Sequence, residues 1–142
     1  MFWRIQTTKE NTGIITNVVD YSNRRVLVVD DNLLNIRVLK RTLNGLNIFV
    51  DEVTSGIDAI NKVNEGNKYD LILMDIMMPK MSGTTALKKL KENPQFTTPV
   101  VALTADAEKN AKNKYIKEGF SDYLVKPYNK KQILDVMNRL FK

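Results

Sequence analysis

The sequence contains no cysteine and no histidine. Disulfides, thiolate nucleophiles, zinc sites of the usual kind and histidine-based acid/base triads are therefore excluded by inventory alone. The good metal ligands that remain are oxygens. No apolar run approaches the roughly 20 residues needed to span a bilayer, and the N-terminus lacks the basic-then-apolar order of a secretory signal. A cytoplasmic location, with no membrane contact by this chain, is the default expectation, although a parent protein could still be membrane-anchored. Lysine and arginine number 22 against 16 acidic residues, a net charge of +6 that would permit binding to nucleic acid or an acidic surface. The excess sits on helix-like segments, at Lys88, Lys89 and Lys91 and at Lys109, Lys112, Lys114 and Lys117, with no aromatic residues between them. That pattern reads as solvated helix faces, and no direct nucleic-acid binding is expected.

The 142 residues suit one domain with a core large enough to fold without staples. From about residue 24 short β-like runs alternate with amphipathic helical patterns. This alternation predicts an α/β fold, a parallel sheet covered by helices on both faces. The first strand is expected over Arg25 to Val29, followed by a helix carrying Leu33, Ile36, Leu39 and Leu43 and stopping near Gly45. A second strand, Asn47 to Val53, alternates more and should lie near an edge. Ser55 with Asp58 reads as a capping box for a helix whose buried stripe is Ile57, Ile60 and Val63, ending at Gly66. The third strand, Asp70 to Met74, delivers Asp75 at its carboxyl end, and a loop with Pro79 and Gly83 leads into a helix through Leu87 and Leu90. Pro99 to Leu103 is the fourth strand, with Thr104 at its end. The next helix, from about Ala105 to Glu118, offers only Ala107, Ala111, Tyr115 and Ile116 to the interior and should be weakly anchored; Gly119 fits a left-handed cap. Asp122 to Val125 is the fifth strand, with Lys126 just beyond it, and Asn129 caps a last helix carrying Ile133, Val136, Met137 and Leu140.

This order puts Asp30, Asp31, Asp75, Thr104 and Lys126 at or just past the carboxyl ends of strands, the edge where open α/β sheets bind ligands. Three neighbouring carboxylates repel one another unless a hard cation joins them, and such a set suits Mg²⁺ better than a caged Ca²⁺. With the metal and Lys126 facing it, one carboxylate can attack phosphorus and form an acyl phosphate, while Thr104 donates to a phosphoryl oxygen. Each residue has a plainer reading. The Asp-Asp pair and Thr104 could be helix N-caps, Lys126 before Pro127 a surface turn, and Asp75 a loop residue. Their joint fall at strand ends carries the functional reading.

The sequence resembles the receiver (response regulator) family of two-component signalling. The matching strings are Val-Leu-Val-Val-Asp-Asp-Asn at 26 to 32, Leu-Ile-Leu-Met-Asp-Ile-Met-Met-Pro at 71 to 79, Val-Ala-Leu-Thr-Ala at 101 to 105 and Asp-Tyr-Leu-Val-Lys-Pro at 122 to 127. The resemblance implies a doubly wound five-stranded sheet of flavodoxin-like order 2-1-3-4-5. It implies that Asp75 is phosphorylated from a phosphohistidine, with Asp31 a direct Mg²⁺ ligand, Asp30 holding metal-bound water, the Met77 carbonyl a further ligand, and Mn²⁺ a possible substitute. Thr104 matches the switch hydroxyl, Lys126 the phosphate-binding lysine, and Tyr123 the switch aromatic; the Lys126-Pro127 bond is expected to be cis. Met77 and Asp106 hold the variable positions that tune hydrolysis of the acyl phosphate, and moderate to slow hydrolysis is expected. No conventional turnover is expected beyond self-phosphorylation and slow autodephosphorylation. Implied partners are a histidine kinase or histidine phosphotransfer domain, with a phosphorylation-dependent homodimer possible through the fourth helix, fifth strand and fifth helix.

Residues 1 to 23 fall outside the matching strings and read as a leader or linker preceding a receiver over 24 to 142. The string Phe2-Trp3-Arg4-Ile5 looks like the last strand of a sensor kinase ATP-binding domain, which would make the chain the receiver of a hybrid histidine kinase. The alternative is a stand-alone single-domain response regulator. No DNA-binding or enzymatic output segment is expected. Two other classes fit the residues less well. A flavodoxin-like cofactor binder would want a Ser/Thr/Gly phosphate loop where Asp30 and Asp31 stand. An aspartyl-phosphate hydrolase would want a second acid where Met77 stands.

Overall fold

Apolar runs without polar interruption become the strands, and stretches with apolar residues at helical spacing become the helices between them. The structure, a computed structural model, describes residues 21–141. Residues 1–20, including the Phe2-Trp3-Arg4-Ile5 string, lie outside the described residues. The order is β1 (Arg25–Val29), α1 (Leu33–Asn44), β2 (Phe49–Val53), α2 (Gly56–Asn64), β3 (Leu71–Asp75), α3 (Gly83–Lys91), β4 (Val100–Thr104), α4 (Ala111–Lys117), β5 (Asp122–Val125) and α5 (Lys130–Leu140). All neighbouring strands pair in parallel, in the order β2-β1-β3-β4-β5. The doubly wound sheet and its order are those expected.

Strand alternation divides the interior into two cores. Leu27, Val29, Ile72, Met74, Val100 and Ala102 face one side, where they meet Ala59 of α2, Ala86, Leu87 and Leu90 of α3, and Ala111 and Tyr115 of α4. Val26, Val28, Leu71, Leu73, Val101 and Leu103 face the other, against Ile36, Leu39 and Leu43 of α1 and Ile133, Val136 and Met137 of α5. Tyr21 joins this second core at 5% exposure, with its ring 5.9 Å from that of Phe141, and it hydrogen-bonds Asn138. Among the described residues no helix is long and apolar enough to cross a membrane.

Several local expectations need correction. Strand β2 begins at Phe49 rather than Asn47, because Asn47 is in the left-handed region (φ 62°) and serves the turn out of α1. Leu33 is 61% exposed: as the first residue of α1 it precedes the face that Ile36, Leu39 and Leu43 press on the sheet. Ile57 is 50% exposed because α2 turns Gly56 and Ala59 inward, where a Cβ on Gly56 would stand 3.0 Å from the Ala86 Cβ. The largest departure is α4, which starts at Ala111 instead of near Ala105. The Asp106 N–H donates to Thr104 Oγ1 (3.0 Å), and its carboxylate accepts the Glu108 N–H (2.9 Å), so side chains take the bonds a helical turn would use. Ala107 is consequently exposed, and Ile116 is 45% exposed, leaving Ala111 and Tyr115 as the buried contacts of α4.

One close approach fixes the loop after β3. A Cβ on Gly83 would collide with the Asp75 carbonyl oxygen and stand 3.0 Å from Ile76 Cα. Both are backbone atoms and cannot turn aside as a side chain would. The Gly83→Ala protein should lose about 1–3 kcal/mol of stability. Chemical denaturation reads this as a lower midpoint at unchanged slope, and an unchanged midpoint would show that the loop yields.

Candidate functional site

Parallel pairing alone brings the acidic residues together. Val29 pairs with Met74, so the next residue on each chain, Asp30 and Asp75, leave adjacent strands side by side. Asp75 pairs with Leu103, and Thr104 with Val125, which sets Thr104 and Lys126 at the same edge. One carboxylate oxygen from each of Asp30, Asp31 and Asp75 lies within 4.8 Å of the others. Asp30 is fully buried and Asp75 is 4% exposed, whereas Asp31 is exposed.

Lys126 Nζ stands 3.0 Å from Asp75 Oδ1 and 3.6 Å from Asp30 Oδ2. Asp30 is further satisfied by the Asn32 N–H at 2.9 Å and the Asn35 side-chain amide at 3.3 Å. The Met77 N–H donates to Asp75 Oδ1 at 3.4 Å, while the Met77 side chain is 77% exposed beside the site. The Lys126-Pro127 peptide bond is cis. Burial pushes the Asp75 carboxyl above its ordinary value; Lys126 opposes that shift and the Asp30 charge adds to it. Burial, and then the charges of Asp30 and Asp75, likewise push the Tyr128 phenol up.

The two aspartates after β1 do not cap the helix that follows. The N-cap of α1 is Asn32, whose side chain accepts the N–H groups of Leu34 (2.9 Å) and Asn35 (3.3 Å), so neither aspartate caps that helix. Asn110 occupies the N-cap position of α4, far along the chain from Thr104. Thr104 is 3% exposed, and its hydroxyl shares a 2.8 Å hydrogen bond with the Tyr115 hydroxyl. Tyr123 is half-buried, with its ring stacked on that of Tyr115 at 6.1 Å and 29°.

Sequence reasoning assigned no site role to Asn35, Tyr115 or Tyr128. Asn35 lies one position before the buried stripe of α1, and Tyr128 is the second residue after Lys126; neither position announces a contact with the acids. Tyr115 was legible as an inward residue of α4, but its hydroxyl partner was not.

A nearly buried aspartate, two further acids, a lysine and a hydroxyl thus gather at one edge of a doubly wound α/β domain, the edge where such sheets bind ligands. Residues 26–138 match the family model described as the response regulator receiver domain. The chain is 34% identical over 119 residues to two-component response regulator 24 of Arabidopsis thaliana, covering 84% of this chain and 85% of that one. It is 36% identical over 121 residues to hybrid signal transduction histidine kinase L of Dictyostelium discoideum, covering 81% of this chain and 7% of that protein. Two solved structures resemble it closely. One is the receiver domain of a sensor histidine kinase from Pseudomonas aeruginosa PAO1 with magnesium coordinated in its active site cleft (TM-score 0.73, 31% identity, 84% of this chain and 98% of that one). The other is the receiver domain of the Saccharomyces cerevisiae response regulator Ssk1, in co-crystal with the histidine phosphotransfer signaling protein Ypd1 (TM-score 0.74, 29% identity, 84% of this chain and 89% of that one). The chain belongs to the response regulator receiver family and is a receiver domain of two-component phosphorelay signalling.

A carboxyl whose pKa rises on folding resists ionisation in the fold, so its charge costs stability at any pH above that raised value. Without metal, Asp75→Asn should therefore be more stable than wild type at neutral pH. Thermal unfolding in a chelator checks this, and a lower midpoint for the variant would mean that the Lys126 ion pair outweighs burial and repulsion.

Proposed function

We propose that Asp75 is the phosphoacceptor of this receiver. Its carboxylate attacks the phosphorus of a phosphohistidine; the P–O bond forms as the P–N bond breaks, and the donor imidazole leaves with its electron pair and takes a proton. The observation that carries the proposal is the convergence of the Lys126 ammonium and two more carboxylates on Asp75 Oδ1 and its surroundings. Lys126 stands ready to neutralise a phosphoryl oxygen, and Thr104, once turned from its resting partners, would donate to another. Asp30, Asp31 and Asp75, with the Met77 carbonyl as implied by the family, would hold Mg²⁺, for which Mn²⁺ substitutes. Three carboxylate oxygens within 4.8 Å suit a hard divalent cation, and the sequence has no thiolate or imidazole donor to compete. When bound, the ion neutralises charge on the transferring group.

The partners we propose are a histidine kinase or a histidine phosphotransfer domain, and the location cytoplasmic. A cavity of about 340 Å³ lined by Asn35, Val38, Lys126, Pro127 and Tyr128 opens beside the acids, and Leu34 and Val38 are exposed on the same helix. That apolar rim supports docking of a donor helix next to Asp75. The family's relatives include hybrid kinases many times longer than this chain, and the string at Phe2 to Ile5 favours such an origin over a stand-alone regulator. The 24 to 142 boundary is part of this reading. The α4-β5-α5 face, where Arg139 forks onto Asp122 (2.8 and 2.9 Å), would carry a phosphorylation-dependent homodimer.

Incubated with acetyl phosphate and Mg²⁺, the protein should gain the mass of one phosphoryl group, and Asp75→Asn should gain none. Equal uptake by the two would end the proposal. Val38→Glu should slow phosphotransfer from a phosphorylated histidine phosphotransfer protein about ten-fold while leaving acetyl phosphate uptake unchanged, as loss of an interface anchor would. Equal slowing with both donors would place the defect at Asp75 instead.

A further inference from the structure

Resting on the reading of Asp75 as phosphoacceptor, we propose that the Tyr115 hydroxyl is a latch: it holds the Thr104 hydroxyl in its resting orientation and so sets how readily the site accepts a phosphoryl group. A threonine hydroxyl has one hydrogen and two lone pairs. In this structure it accepts the Asp106 N–H at 3.0 Å and shares a 2.8 Å hydrogen bond with Tyr115. Both partners lie in the segment that follows β4, whereas a phosphoryl group would stand on Asp75 of β3. With Thr104 as the donor to Tyr115, its one hydrogen is taken, and to donate to that group the hydroxyl must leave Tyr115.

The phenol cannot simply follow. Tyr115 is 2% exposed, edge-on to Phe120 (6.0 Å, 81°) and stacked on Tyr123 (6.1 Å, 29°). Lys114 adds a second tie, with its ammonium 5.3 Å from the Tyr115 ring centre and 3.6 Å from Asp106. A hydroxyl this deep that loses its partner finds no water to replace it, so the bond opposes rotation of Thr104. Tyr115 touches no phosphoryl group on this account. It is a positioning residue acting through Thr104, and because α4 carries it, release of the latch loosens a helix that has just two buried residues, Ala111 and Tyr115.

Tyr115→Phe removes the hydroxyl and keeps the ring contacts. With Mg²⁺ present, the variant should bind beryllofluoride, a phosphoryl mimic, about five-fold more tightly than wild type, the factor that one net hydrogen bond supplies. In a Thr104→Ala background the same substitution should change nothing, since no hydroxyl remains to be released. A purely structural role for the phenol would shift affinity alike in both backgrounds. The latch is overturned by equal or weaker binding in Tyr115→Phe, or by an equal gain in the Thr104→Ala background. Phosphoryl uptake by wild type from acetyl phosphate, read by mass, separates the two readings. Its absence rejects Asp75 as acceptor, whereas uptake with an unaltered Tyr115→Phe rejects the latch alone.

Discussion

One ammonium group shared between two buried carboxylates sets the terms for the rest of this molecule. Asp30 and Asp75 have almost no exposure, and Lys126 lies within 3.6 Å of both. Two anions and one cation leave a net negative charge at the sheet edge, before Asp31 is counted. Burial makes that charge expensive, and the raised pKa of Asp75 expresses the cost. The site is therefore built with an electrostatic deficit, which a divalent cation would offset. A structure that tolerates such a deficit keeps a binding function at the expense of stability.

Holding the deficit in place needs a rigid frame, and the frame is made of residues with no chemistry of their own. Two apolar cores clamp the sheet from both faces, so β1 and β3 cannot slide without turning every side chain to the wrong layer. Asn32 caps α1 and frees the aspartates before it, while Gly83 lets the start of α3 sit against the Asp75 carbonyl. Asp30 is held by an amide and an amide side chain as well as by Lys126, and so would keep its position were the lysine to turn to another anion.

The strand-end constellation was legible because it depends on features that survive in one dimension. Continuous apolar runs mark buried parallel strands, and a polar residue at the end of each run falls on the same edge. Asp75, Thr104 and Lys126 needed nothing more. Helix detail was less legible, because a stripe read at 3.6-residue spacing does not say which neighbour it meets. Ile57 looked buried until Gly56 and Ala59 proved to be the contact with α3, and Leu33 looked buried until α1 proved to begin there. The start of α4 was hidden for a different reason. Its apolar residues continue back to Ala105, but Asp106 diverts the local hydrogen bonds into a turn, a competition between side chain and backbone that composition does not resolve.

That turn also explains why a change at the site would be read on one face rather than all round. The face made by α1 and α5 is tied down at both ends: the Asn129–Gln132 capping box holds the start of α5, and Tyr21, Arg24 and Phe141 pack together at its end. The opposite face has α2 and α3 in close contact through Gly56, yet α4 offers it only seven helical residues. The aromatic group of Tyr115, Phe120 and Tyr123 sits at this weak corner and connects directly to Thr104. Displacement follows the path of least resistance, so a hydroxyl that moves by the width of a hydrogen bond would displace the shortest of the described helices. On the proposed reading, the short α4 would thus be the element through which a charge added at Asp75 reaches the surface.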